Sequence, residues 1–228
     1  MKKIKGWIID YLYLARGIVI MYWYSTPPKH YLGYTIKNRC PVIIIPGIAL
    51  RWGFMKPLAD FISLKGYATY VIPQLGQNLS EVADCAKKLE ALIIEQNLKD
   101  VVIIGHSKGG LIGKYLLSTS INKKIKGLIA IATPFSGTLL SKFIPHNSYK
   151  ELNQESKLIK ELSSLKEINK KIISIFPEYD NHIWGGTSSF LEGAFENIKI
   201  PIRGHHKIIN DKYTWGIILE SIETFFQS

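Results

Sequence analysis

A serine stands between two glycines in Gly105-His106-Ser107-Lys108-Gly109, directly after Val101, Val102, Ile103 and Ile104 and before the apolar stretch Gly110 to Leu117. The β-branched run reads as a buried strand and the following stretch as a helix, which puts Ser107 on the turn between them. A turn this tight has no room for a Cβ at Gly105 or Gly109, and it lifts the Ser107 hydroxyl clear of the strand above a helix N-terminus. The chemistry open to such a hydroxyl is attack on a carbonyl, for which a base must take its proton and an acid must orient that base. Both partners should follow later in the chain, at the C-terminal ends of strands. After the strand-like Lys171 to Phe176 comes Asp180, with Glu178 as the weaker rival closer to the strand. After the last strand-like run, Ile198 to Arg203, come His205 and His206, either of which could be the base; His182 follows the acid too closely to reach Ser107 from the expected side. Acyl transfer also needs fixed N–H donors for the oxyanion. The backbone amide of Lys108 is one, and that of Ile48, on the loop Pro46-Gly47-Ile48-Ala49, is the other.

The elements that must position these groups alternate between strand and helix patterns. Strand-like runs at 41–47, 68–73, 101–104, 127–134, 171–176 and 198–203 predict an α/β fold, a mostly parallel sheet of about six strands with helices on both faces. Helices are expected over Trp52 to Lys65, ending at Gly66, and over the stretch opened by Asn78 and Glu81 in the manner of a capping box. A further helix closes the chain from Tyr213 to Phe226. Residues 141–170 are Lys-rich, with Leu152, Leu158, Ile159, Leu162, Leu165 and Ile168 as apolar positions, and read as a small helical cap or a plain crossover helix.

These stretches resemble the α/β-hydrolase superfamily, in particular the small bacterial lipases and esterases. Pro46-Gly47 is similar to their oxyanion loop, Gly105-His106-Ser107-Lys108-Gly109-Gly110 to their nucleophile turn, and Ala132-Thr133-Pro134-Phe135-Ser136-Gly137-Thr138 to a turn of the lipases. Tyr179-Asp180-Asn181-His182-Ile183 looks like the acid loop. Gly204-His205-His206-Lys207-Ile208-Ile209-Asn210-Asp211 looks like the segment of the catalytic histidine, in a register that selects His205. The resemblance covers residues 31–228 and implies an α/β-hydrolase domain there, a Ser107–His205–Asp180 triad, an acyl-enzyme and a small-molecule or lipid ester substrate, without cofactor or metal. An acyltransferase or amidase would use the same intermediate, and a non-catalytic binding module is disfavoured because all three positions are filled. Two residues depart from the pattern: Phe135 replaces a histidine, and Lys108 puts a cation beside the nucleophile, where it would oppose long neutral acyl chains.

The chain of 228 residues is long enough for one sizeable core, and Cys40 and Cys85 are too few for a disulfide framework or a metal cluster. Its formal charge is +11, yet only Arg16, Arg39, Arg51 and Arg203 among its 29 basic residues are arginine. Scattered lysines without a nucleic-acid motif point to solvated faces or an anionic membrane surface, and no nucleic-acid partner is expected. Residues 1–30 stand apart from the alternation. Lys2, Lys3 and Lys5 precede the aromatic-rich apolar stretch Trp7 to Tyr24, which lacks a cleavage signal and carries Asp10 and Arg16. Asp10, Tyr13, Gly17 and Tyr24 form one narrow polar stripe on a helical wheel, which suits a helix lying in a membrane interface through residues 1–25. Packing on the domain or on a second copy is the alternative, and spanning is disfavoured by Arg16. Thr26-Pro27-Pro28-Lys29 reads as a stiff linker, which would make the helix separable from an active domain. A cytoplasmic, membrane-associated protein is the expectation.

Overall fold

The computed structural model describes residues 2–183 and 188–227; the side chains of Lys2, Lys3 and Lys5, read above as a basic start, lie outside what is described. The strands are β1 (Val42–Ile45), β2 (Thr69–Val71), β3 (Val101–His106), β4 (Ile125–Ile131), β5 (Ile172–Tyr179) and β6 (Glu196–Arg203). They form one sheet in the order β2-β1-β3-β4-β5-β6 with every neighbouring pair parallel. This is the α/β class expected, each strand overlapping its predicted run; β4 begins two residues earlier and stops three short, β6 begins two earlier, and β5 runs on to Tyr179 and takes in Glu178.

Because helices cover both faces, the central strands are apolar on both sides rather than alternating with polar residues. Val42, Ile44, Val102 and Ile104 face one layer, which holds Met21 of α1 (Lys2–Trp23), Ile62 of α3 (Lys56–Leu64) and Ile218 of α8 (Lys212–Gln227). Short α2 (His30–Gly33) lies between α1 and α3 in the chain. Ile43, Ile45, Val101 and Ile103 face the other layer, with Leu89 of α4 (Val82–Glu95) and Leu111 of α5 (Lys108–Leu117). Each such side chain contributes about 1.5–3 kcal/mol on burial.

Three local expectations are corrected. The helix expected at Trp52 starts as a 3-10 turn, Trp52–Met55, before α3, and stops at Gly66 with φ +86°. The capping box at Asn78 and Glu81 does not form. Asn78 is buried in a left-handed conformation (φ +53°), and the first amide of α4, Val82 N–H, donates to the Glu151 carboxylate at 3.1 Å. Residues 141–170 form no continuous helix: a 3-10 turn Leu139–Phe143, α6 (Asn147–Lys150), α7 (Lys157–Ser164) and a 3-10 turn Glu167–Lys171 follow one another. Leu152, Ile159 and Leu162 anchor this segment in the layer of α4 and α5.

Helix α1 packs on the domain, the alternative to a membrane interface, and does so through Asp10 and Gly17 of its polar stripe, while Tyr24 of that stripe stays exposed. Asp10, Gly17 and Met21 are buried, and a Cβ at Gly17 would lie 2.2 Å from the Phe54 ring. Much of the apolar remainder (Ile8, Leu12, Val19 and Trp23 above all) is exposed, while Leu14 and Ile20 are half-buried. The expected linker is tied down at both ends: Trp52 Nε1 donates to the Ser25 carbonyl at 3.2 Å, and buried Tyr31 donates its hydroxyl to Asp60 at 2.9 Å. Among the described residues no helix is long and apolar enough to cross a membrane.

Candidate active site

The sheet order reverses between β1 and β3, where β1 has already paired with β2 on its other side. Loops leaving the carboxyl ends of adjacent strands diverge at such a switch point and leave a crevice there. The loop after β1 and the turn after β3 both open onto it. Ser107 has φ +52° and ψ −120°, a strained conformation for a residue with a Cβ, and its N–H is anchored on the Ile131 carbonyl at 2.8 Å. The glycines beside it are sterically required: a Cβ at Gly105 would sit 2.5 Å from the Gly109 backbone, and one at Gly109 would sit 2.4 Å from the Ile45 carbonyl oxygen.

The two residues read as oxyanion donors occupy different surroundings. Ile48 lines the crevice, and its loop lies close enough to the nucleophile that a Cβ at Gly47 would be 3.2 Å from Ser107 Cβ. The left-handed residue of that loop is Ala49 (φ +61°). Asn78, which the sequence placed at a helix start, instead braces the loop by donating Nδ2 to the Pro46 carbonyl at 2.8 Å. The Lys108 amide opens α5 directly after Ser107, but its side chain turns away. Its Nζ donates to the carbonyls of Asn78 (3.2 Å) and Ser80 and to Ser148 Oγ, wholly buried. The cation expected beside the acyl pocket is therefore absent from its lining.

The loop after β5 presents Asp180 to His205. The Asp180 Oδ1 atom accepts the N–H groups of His182 and Ile183, both at 2.8 Å, which leaves Oδ2 to accept His205 Nδ1–H at 2.8 Å. Glu178 lies within β5, before that loop, and pairs with Arg203 of β6 at 3.2 Å. Ser107 and His205 line the same crevice, with His106, His182 and His206 around them. His182 stacks on His205 with ring centroids 5.0 Å apart. His206 turns to Asp10 of α1 instead of Asp180, donating Nδ1–H to Oδ2 at 3.0 Å.

Four imidazoles in one buried cluster cannot all be charged. Burial lowers the pKa of His106 well below its ordinary value and that of His182 to about 3. Burial also lowers that of His206, outweighing its Asp10 partner. For His205 burial pulls the same way, but the charge and hydrogen bond of Asp180 prevail and raise its pKa. Asp180 itself is raised by burial, yet the His205 charge, the His205 bond and the Ile183 and His182 amides carry it below the usual carboxylate range. His205 is thus the one histidine of the four whose pKa is raised. Asp10 is ionised for similar reasons: burial opposes it, and the His206 bond and charge with the amides of Lys207 and His206 outweigh that.

Asp10, His182 and His206 bring one ligand atom each within 4.8 Å of one another. Both Asp10 oxygens, however, already accept hydrogen bonds from the His206 and Lys207 backbone and the His206 ring, so the carboxylate is satisfied without a metal. The crevice measures about 290 Å³, at the small end of ligand pockets, and its wall is largely apolar. Leu14, Ile18 and Met21 of α1 form one side, and Leu140, Ile144 and Leu152 of the segment after β4 form another. Two features escaped the sequence. One is the contact of Asp10 with the loop after β6, for which a lone acid sharing a stripe with Gly17 is the signal available in the sequence. The other is the stacking of His182 on His205, which spacing along the chain does not reveal.

Comparison with known proteins agrees with this architecture. The PGAP1-like alpha/beta domain family matches residues 68–183. A Bacillus licheniformis lipase in mature form superposes with a TM-score of 0.65 at 14% identity, covering 87% of this chain and 96% of that one. A Paleococcus ferrophilus monoacylglycerol lipase gives 0.61 at 12% identity, with 82% and 96% covered. An Acinetobacter baumannii protein described as a putative lipase gives 0.57 at 16%, with 83% and 86% covered. No curated protein matches the sequence significantly.

Proposed function

The chain belongs to the PGAP1-like alpha/beta domain family, within the α/β-hydrolase superfamily, and from that premise we propose that it is a serine hydrolase cleaving carboxylic esters through an acyl-enzyme. Ser107 attacks the carbonyl, His205 takes its proton and passes it to the leaving alcohol, and Asp180 orients the imidazole. The amides of Ile48 and Lys108 hold the oxyanion, and water then releases the acid. The observation that carries this reading is the His205–Asp180 bond of 2.8 Å in the crevice that also holds Ser107 on its strained turn. Similarity in fold to lipases supports the ester class.

The substrate is a lipid ester met at a membrane surface. Its acyl chain fits a largely apolar wall with no lysine or arginine in it, and α1 turns Ile8, Leu12, Val19 and Trp23 outward while its other face lines the crevice. A helix with exposed aromatic residues on a protein of charge +11 suits the interface of an anionic bilayer. The test is hydrolysis of p-nitrophenyl esters of increasing chain length by the full chain and by Ser107→Ala, together with sedimentation on phosphatidylglycerol vesicles. Loss of at least about 10³-fold in Ser107→Ala is expected, with preference for longer chains and vesicle binding only partly reversed by salt. Undiminished turnover by Ser107→Ala would overturn the mechanism. Preference for acetate with no vesicle binding would overturn the lipid reading.

A further inference from the structure

We propose that Asp10 is a positioning residue for catalysis: from the N-terminal helix it fixes the loop that carries His205, so that α1 is a working part of the active site. This rests on the reading of His205 as the base.

The backbone around His205 is pinned from three directions. Asn181 Oδ1 accepts the His205 N–H at 3.0 Å, and His106 Nε2 lies 3.0 Å from the His205 carbonyl oxygen. The next two amides go to Asp10, whose Oδ1 accepts His206 N–H at 2.7 Å and Lys207 N–H at 2.8 Å. Its Oδ2 takes the His206 ring proton. Asp10 alone among these contacts carries a full charge, and it alone comes from outside the sheet and the loops at its carboxyl edge.

The loop is also shaped to admit that carboxylate. Gly204, immediately before His205, has φ +124°, and a Cβ there would sit 2.3 Å from Asp10 Oδ1. Docking α1 does not call for an acid. A well-packed aliphatic residue in place of a buried ion commonly serves stability as well or better. What an anion adds is direction: it fixes two successive amides and a ring nitrogen at once, and through them the His205 backbone. Displacing a catalytic group by as little as 1 Å can cost about 10²-fold in rate. The same helix supplies Leu14, Ile18 and Met21 to the crevice wall, so the segment that sequence reading made separable contributes to both orientation and enclosure.

The test compares wild type, Asp10→Ala and Asp10→Asn as full chains on a short water-soluble ester, with circular dichroism to establish folding. Asp10→Ala should lower kcat by about 10²-fold while KM moves less than about 3-fold. Asp10→Asn keeps an oxygen for the two amides and should recover kcat to within about 10-fold of wild type. The charged and titratable groups around His205 are Asp180 and His182 from the loop after β5, His106 at the end of β3, His206 beside it and Asp10 from α1. Removing the Asp10 anion disfavours the imidazolium, so the acid limb of kcat/KM should move to lower pH in both variants. That shift reports the Asp10 charge itself, whereas a loss of kcat at nearly constant KM in Asp10→Ala, largely recovered in Asp10→Asn, is what a mere helix anchor would not produce. Asp10→Ala with wild-type kcat would overturn the proposal; should that variant not fold, Asp10→Asn with both kcat and acid limb unchanged would overturn it. Ser107→Ala and His205→Ala serve as controls: if they are inactive while the Asp10 variants match wild type, the hydrolase reading stands and the positioning role alone is lost.

Discussion

Replacing Asp180 by asparagine separates the orienting role proposed for this carboxylate from its place in the fold. Oδ1 accepts the His182 and Ile183 amides, both at 2.8 Å, and Oδ2 faces His205 Nδ1 at 2.8 Å. In Asp180→Asn the side-chain oxygen must stay on the two amides, because the NH2 group cannot accept from them. The NH2 group then points at His205 Nδ1 and turns it into an acceptor. The proton moves to Nε2, the nitrogen that must take the proton of Ser107, so the imidazole is held as the wrong tautomer. Loss of a correctly held tautomer costs about 10⁴-fold in kcat in triads of this kind, equivalent to about 5 kcal/mol of transition-state stabilisation. The assay is burst and steady-state kinetics on an activated short ester, with melting temperature as the control for folding. Because the Asp180 charge raises the His205 pKa against the pull of burial, the residual activity should persist to lower pH than that of wild type. Activity within about 10-fold of wild type in Asp180→Asn, or an equal loss in Glu178→Gln, would refute the assignment.

Two further outcomes follow from the same geometry. His205→Ala should lose at least about 10³-fold in kcat, whereas His206→Ala, whose ring faces Asp10 rather than Asp180, should stay within about 10-fold of wild type; steady-state kinetics on one ester distinguishes them, and the reverse pattern would shift the base by one residue. Lys108→Met strips the donor from three buried oxygens at a cost of about 1–3 kcal/mol, and calorimetry should register a melting temperature roughly 2–12 °C lower, while the preferred acyl-chain length stays where it was because the ammonium does not line the crevice.

The sequence by itself determined what depends on neighbours along the chain. Runs such as Val101 to Ile104 commit to buried strands because β-branched side chains fit a pleated surface covered on both faces. The glycines flanking Ser107 declare a turn because no other residue escapes collision there. Strand ends then narrowed the acid to Asp180 or Glu178 and the base to His205 or His206. Only the tertiary structure assigned each member of those pairs a partner: Glu178 goes to Arg203 and His206 to Asp10, which leaves Asp180 and His205 for each other. The same holds for the direction of the Lys108 side chain, decided by oxygens of Asn78, Ser80 and Ser148 far along the chain. It holds most of all for α1. A helical wheel shows that Asp10 and Gly17 share a stripe, but a stripe has no inside or outside until something packs on it. The loop that satisfies the Asp10 charge lies 196 residues away, and its two amides and one imidazole turn the polar stripe inward and leave the aromatic face to the surroundings.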